Sequence, residues 1–314
     1  MIKRIAKHFL ARFGLELRKS DSPRYNKLGN VGVPYNEWEA RGKKIFLKIL
    51  NITVEKNSTL ILAYAIAKRI SNGGGHFFYD TDGRLQLSIQ GVNFFINFTD
   101  ELFVIAEVFI NRDYNFKTTD QLLILDIGLN IGATALFFST QKNVKTIYSY
   151  ELFEPTYLAA KRNFEINDAS KIISLNVGLG RETKQLQIPY SESSKARMGL
   201  HGLPSSEEFP DAKLVTVTII DVAEEINRIH NLEPDIKKVC KMDCEGAEFE
   251  ILARLFEKKV IRLIDVYIIE WHNEDPKTIE SEFLQNGFDV LKPTSDDPTT
   301  GIIYAFKKGL TLSN

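Results

Sequence analysis

The stretch Leu122-Leu-Ile-Leu-Asp-Ile-Gly-Leu-Asn-Ile-Gly132 decides the fold. Its first six residues are apolar except for Asp126, a run too continuous for a half-exposed strand and suited to a parallel strand covered on both faces. Gly128 and Gly132 follow with Asn130 between them, and 133–141 reads as a helix. Strand, glycine turn and helix in that order open a doubly wound α/β sheet. The alternation continues outward, with strand-like runs at 146–151, 171–177, 214–220, 239–244 and 263–270 and helical stretches at 155–167, 222–231 and 245–259. Right-handed crossovers then predict a Rossmann-like, mostly parallel sheet over residues 118–314. The runs 288–292 and 301–306 are joined by too short a segment for a helix, which predicts an antiparallel hairpin at the sheet edge.

In such a sheet the ligand lies outside the carboxyl ends of the strands, so the polar residues ending each strand are the candidates. Asp126 ends the first, in the pattern D-x-G-x-N-x-G, where glycine lets a backbone approach a ligand and an acid can hold an amino group. Glu151 ends the second, 25 residues beyond Asp126, the separation expected of a ribose-binding carboxylate one crossover later. Glu154, followed by Pro155, instead reads as the opening of the next helix. The two glycines do not make the G-x-G-x-x-G of a dinucleotide site. A methionine-derived sulfonium cofactor, which lacks a pyrophosphate, suits the pattern better.

Four motifs in order, DIGLNIG at 126–132, YELFEPTYLAAKRNFEIN at 150–167, KMDCEGAE at 241–248 and IIEWH at 268–272, resemble the FkbM family of S-adenosylmethionine-dependent methyltransferases. The resemblance implies that Asp126, Gly128, Asn130, Gly132 and Glu151 contact S-adenosylmethionine. It also implies O-methyl transfer to a hydroxyl, with a saccharide or glycoconjugate intermediate as the acceptor class and polysaccharide biosynthesis as the setting. Here Leu152-Phe153-Glu154 stand between Glu151 and Pro155, where many members place the proline directly after the acid.

The third motif ends the strand expected beside the first, so Asp243 and Glu245 are placed to orient a substrate hydroxyl or bind a metal. Helix capping is the other reading of Glu245, and Glu248 reads as a first-turn helix residue. Glu270 and His272 project to one side of the next strand, Trp271 to the other. His272 is the leading general base, since a histidine held by a carboxylate suits proton removal from a weakly acidic hydroxyl. The alternatives are a divalent cation held by Asp243, Glu270 and His272, or a histidine that only closes the strand. Between Tyr190 and Lys213 a polar loop with Arg197 and His201 reads as an acceptor lid or a solvated loop.

Upstream, 21–117 reads as an α+β extension after a Gly, Pro and Ser-rich linker at 20–34, with helices at 37–50, 59–70 and 101–111. Antiparallel strands over 76–97 turn at Asp82-Gly83 and Gln90-Gly91. Gly73-Gly74-Gly75 ends a helix and has neither the preceding strand nor the following Lys-Ser/Thr of a phosphate loop. Residues 1–20 carry Lys3, Arg4, Lys7, Arg12, Arg18 and Lys19 against Glu16, with Ile2, Ile5, Phe9 and Phe13 at helical spacing. This basic amphipathic helix suits packing on its own domain or a partner, or peripheral contact with an anionic membrane surface.

Across 314 residues, 40 Lys and Arg nearly cancel 41 Asp and Glu, so no global field favours a nucleic acid partner. Cys240 and Cys244 are expected on one face of one strand with little room for a bridge, and no apolar run approaches the roughly 20 residues of a membrane span. The expectation is a cytoplasmic enzyme acting on a small-molecule or glycan acceptor. A nicotinamide-dependent oxidoreductase and a non-catalytic scaffold of the same fold remain its rivals.

Overall fold

The computed structural model describes residues 32–115, 118–191, 212–293 and 298–311. The helix expected over 1–20, most of the linker, and the loop residues Arg197 and His201 lie outside the described residues. The chain divides into two compact units, Met1–Asp113 and Tyr114–Asn314.

In the first unit, β1 (Trp38–Arg41), β2 (Lys44–Leu47) and β3 (Ile52–Val54) form an antiparallel sheet where a helix is expected over 37–50. Gly42, at φ +63°, reverses the chain, and Ile45 and Leu47 are buried while Lys44 is exposed. That is a period of two, which the apolar content of the segment conceals. Helices α1 (Thr59–Leu62) and α2 (Tyr64–Asn72) meet at Ala63, and Gly73 follows as the C-cap. A second antiparallel sheet, β4 (His76–Tyr79), β5 (Leu85–Ile89) and β6 (Val92–Phe95), turns at Gly83 and at Gln90-Gly91 as expected. The helix α3 (Thr99–Ala106) then runs into a π-helical turn, Glu107–Asn111.

The second unit is α/β. Its main sheet contains β7 (Leu122–Ile127), β8 (Val144–Tyr150), β9 (Ile172–Leu175), β13 (Lys237–Met242), β14 (Val266–His272), β15 (Phe288–Leu291) and β16 (Thr300–Lys307), in the order β15-β16-β14-β13-β7-β8-β9. The five strands β9, β8, β7, β13 and β14 are parallel, and β16 and β15 make the antiparallel edge. All six residues of β7 are buried, as its unbroken apolar run requires. Strand order reverses between β7 and β13, so the crevice at their carboxyl ends is the topological switch point.

Three expectations are corrected. The run at 214–220 lies outside the main sheet: β12 (Lys213–Asp221) pairs with β10 (Gly178–Gly180) and β11 (Lys184–Tyr190) in a separate three-stranded sheet. Its burial alternates along Val215 to Asp221, the mark of a strand covered on one face only. Cys244 lies beyond β13 in a turn rather than in the strand with Cys240, and both cysteines are free. The helix expected from 245 begins at Glu248, because Glu245 and Gly246 take left-handed conformations at φ +54° and +108°. A further helix, Lys277–Gln285, connects β14 to β15. Its Phe283 packs on Tyr267 and Phe288 and fixes the edge hairpin to the core. No helix among the described residues is long and apolar enough to cross a membrane.

Candidate functional site

The turn after β7 is shaped by three left-handed residues, Gly128, Asn130 and Gly132, at φ +84°, +52° and +84°. Asparagine tolerates this conformation, and Asn130 accepts the Ile131 N–H on its own side-chain oxygen at 2.8 Å. Both glycines face protein. A Cβ on Gly128 would lie 1.7 Å from the Asp243 carbonyl oxygen, and one on Gly132 would lie 2.6 Å from the Phe164 ring. The glycines therefore seat the turn against β13's exit and the next helix. Asn163, on the helix Glu154–Glu165, ties down the same turn by donating to the Ile131 carbonyl at 2.9 Å.

Asp126 lies beneath this turn with no exposed surface. Its carboxylate faces Lys241 Nζ at 3.5 Å and accepts from Ser149 at 3.3 Å. Burial raises its pKa, opposed by Lys241. Lys241 thus supplies a cation beside this buried acid.

Glu151 leaves β8 beside the turn. Its Oε2 accepts the Asn130 N–H at 2.8 Å and its Oε1 the Phe153 N–H at 3.1 Å, so Asn130 and Glu151 form one unit. Each oxygen keeps lone-pair capacity for a further donor. Burial pushes this carboxyl up to about 7, against the pull of the two amides. Glu154 is an exposed first-turn residue, as its sequence context indicates.

Across β7, the ends of β13 and β14 gather acids. Lys241, 3 % exposed, donates to the Gly128 carbonyl at 2.6 Å and lies 3.6 Å from Asp243 Oδ2, joining this cluster to the β7 turn. Burial lowers its pKa, but Asp243 and Asp126 outweigh that and hold it above the ordinary lysine value. Glu248, fully buried, does more than open a helix: it accepts the Cys244 and Gly246 N–H groups at 2.8 and 2.9 Å and fixes the left-handed turn. The same carboxylate holds His272 Nδ1 at 3.2 Å. His272 Nε2 then faces Glu270 Oε1 at 3.8 Å and Glu245 Oε2 at 3.9 Å.

Burial lowers the His272 pKa, while the bond to Glu248 and the charges of Glu245, Glu248 and Glu270 outweigh it and bring the value up to about 10. The surrounding acids thus favour the protonated form of the ring. Glu270, 4 % exposed, accepts the Tyr114 hydroxyl at 3.2 Å, which also reaches Asp243 Oδ2 at 3.4 Å. Asp243, Glu245 and His272 each offer one ligand atom within 4.8 Å of the others. In the set considered from sequence, Glu245 thus replaces Glu270.

Lys241, Tyr114 and the clamp role of Glu248 escape a reading by motif. A lysine set between Cys240 and Met242 in the buried stretch of a central strand is a signal for the first. Tyr114 has no such signal, since it meets Asp243 from 129 residues away.

The Methyltransferase FkbM domain family matches residues 126–290, just over half of the chain. Methyltransferase 1 of Beauveria bassiana is 28% identical over 181 residues, covering 54% of this chain and 72% of that protein. Methyltransferase sdnD of Sordaria araneosa is 23% identical over 218 residues, covering 62% and 84%. The crystal structure of a methyltransferase FkbM from Methylobacillus flagellatus KT aligns with a TM-score of 0.41 and 13% identity, over 64% of this chain and 48% of that one. The matched segment begins at Asp126, ends in the edge hairpin and takes in every sheet-end acid described above: the chain belongs to the FkbM family of methyltransferases.

Proposed function

We propose that this protein transfers the methyl group of S-adenosylmethionine to a hydroxyl of a saccharide or glycoconjugate acceptor. The observation that carries the cofactor half is the Asn130–Glu151 unit at the switch point, with a buried carboxylate positioned to accept from a ribose diol. The donor set fits that group and does not fit a dinucleotide, whose pyrophosphate is held by a G-x-G-x-x-G turn. When bound, the sulfonium supplies an electrophilic methyl; the protein's part is to align an acceptor oxygen with it and to take the hydroxyl proton.

The acceptor half rests on charge and reach. Asp243 and Glu245 are each about a quarter exposed, at 25% and 29%, beside buried Glu270 and partly buried His272. Carboxylates arranged this way accept from neutral hydroxyls and repel phosphates, which favours an uncharged polyol and disfavours nucleic acid. A carboxylate of this cluster is the proton acceptor.

The test is calorimetric binding of S-adenosylhomocysteine to wild type and Glu151→Ala, with NAD as the control ligand. Wild type should bind and the variant should lose roughly tenfold or more, the cost of one or two hydrogen bonds to a charged group. NAD should be silent. Labelled-methyl transfer to neutral and phosphorylated saccharides then separates acceptor classes. Absent binding by wild type overturns the proposal.

A further inference from the structure

We infer that Asp243, Glu245 and His272 form a binding site for one divalent transition-metal cation, Mn2+, Fe2+ or Zn2+, which activates the acceptor hydroxyl. The inference rests on the acceptor-edge reading above and deepens it. Three observations carry it.

The first is the ligand set. One imidazole nitrogen and two carboxylate oxygens lie within 4.8 Å of one another, on the turn 243–245 and on the end of β14. Nitrogen with oxygen and no thiolate suits these cations, whereas Ca2+ takes about six to eight oxygens. Ligand atoms about 2.1 Å from a common cation are separated by roughly 3 Å when adjacent and roughly 4 Å when opposite. The 3.9 Å between His272 Nε2 and Glu245 Oε2 falls in that range without rearranging the backbone. Both carboxylates are partly exposed, which leaves coordination positions for an acceptor hydroxyl.

The second is the histidine. Glu248, fully buried, takes Nδ1 and so aims Nε2 toward the carboxylates, the arrangement in which a carboxylate behind a ligating histidine fixes its ring. Yet Nε2, on a side chain only 11% exposed, sits beyond hydrogen-bond length from both neighbouring acids. A nitrogen oriented this firmly and bonded to neither acid is poised for a third party.

The third is charge. Asp126, Asp243, Glu245, Glu248 and Glu270 surround Lys241 and His272, and Lys241 is shared between Asp126 and Asp243. Carboxylates outnumber cations even when the imidazole is charged. Such an excess in a buried place is stabilised by a bound cation. On binding, the cation takes the Nε2 lone pair and the imidazole proton leaves to solvent. The coordinated hydroxyl would then give its proton to Glu270, outside the ligand set, as its oxygen bonds to the methyl carbon and the carbon–sulfur bond breaks to leave neutral S-adenosylhomocysteine.

The experiment uses the full chain, treated with EDTA and desalted, titrated with Mn2+ by calorimetry and by loss of the free Mn2+ electron-spin signal. Wild type should take up one Mn2+ and melt at a higher temperature when loaded. Asp243→Asn and His272→Gln should each weaken uptake about tenfold or more. Glu248→Gln, which loosens the ring without removing a ligand, should weaken it less. S-adenosylhomocysteine affinity, measured on the same samples, reports that each variant is folded. Glu245→Gln, a substitution at a partly exposed side chain, decides the matter if another variant unfolds. Saturable uptake lost in the ligand variants supports the site. No uptake of Mn2+, Zn2+ or Mg2+ by wild type, or equal uptake by all variants, overturns it. S-adenosylhomocysteine binding without metal uptake sinks the metal site alone, and metal uptake without S-adenosylhomocysteine binding sinks the cofactor reading alone.

Discussion

At the end of β8 one carboxylate, Glu151, is held by two backbone amides, while at the ends of β13 and β14 several acids press on one lysine and one histidine. The first arrangement is locally complete. It is a hydrogen-bond acceptor set by the course of the main chain. The second is incomplete in charge, a state that folding alone would not favour. Such local cost is characteristic of a site where chemistry is done. On the proposed function, binding belongs to the backbone-made edge and reactivity to the side-chain-made edge, with Lys241 joining the two.

The largest test of that division is Gly128→Ala, because Gly128 belongs to one edge and packs against the other. The added Cβ would overlap the Asp243 backbone carbonyl at 1.7 Å, in a residue already at φ +84°. Strain and overlap together should cost about 3 kcal/mol or more. For a unit of this size that lowers Tm by roughly 10 °C. Both product binding and Mn2+ uptake should fall. Gly132→Ala meets only the Phe164 side chain, which can shift, and should cost less. Equal melting temperatures for the two variants would break the claim that the Gly128–Asp243 contact locks the edges together.

A smaller effect follows from the Glu151 carboxyl, which burial pushes up to about 7 from an ordinary 4.5. Above that pH it is ionised and accepts two donors; below it, one oxygen carries a proton and an acceptor is lost. Affinity for S-adenosylhomocysteine should therefore fall as pH drops from 8 to 6, by up to about tenfold per unit once below the pKa. In Glu151→Gln the affinity should be weak and flat over the same range. A slope that survives the substitution would assign the titration to the other edge, where Glu245 also lies at about 7.

The two edges were also unequally legible from sequence. The cofactor edge is continuous in the chain: β7, the glycine turn and Glu151 lie within 30 residues, and their local geometry follows from residue type. The strands, crossovers and edge hairpin of the second unit were readable for the same reason. The helix expected over 37–50 failed because Gly42 turns a hairpin that apolar content does not reveal. The run at 214–220 failed because a strand's own pattern does not name its partner sheet. At the reactive edge, Asp243, Glu270 and His272 could be named from strand ends. The clamp of Glu248 on His272 depends on the left-handed turn at Glu245, a conformation no propensity favours for glutamate. Tyr114 and its two carboxylates are a contact made only by tertiary folding.

That contact gives the smallest test and the sharpest one for independence of the edges. Tyr114 is buried, and its hydroxyl donates between Glu270 and Asp243. Tyr114→Phe keeps the ring and removes that shared donor, leaving two like charges less separated. Loss of a hydrogen bond to a charged group should cost about 1.5 kcal/mol, or roughly 3–6 °C in Tm. Affinity for S-adenosylhomocysteine should stay within about twofold, since Glu151 is held by amides that the change does not touch. Mn2+ uptake should change by more, because Asp243 is a proposed ligand. The alternative outcome is a matching loss of product affinity. Lys241 is the only described cation that touches Asp126, Asp243 and the Gly128 carbonyl together, so such a loss would show that it transmits the change across β7. The two edges would then be one electrostatic unit, and the division between a binding edge and a reactive edge would have to be abandoned.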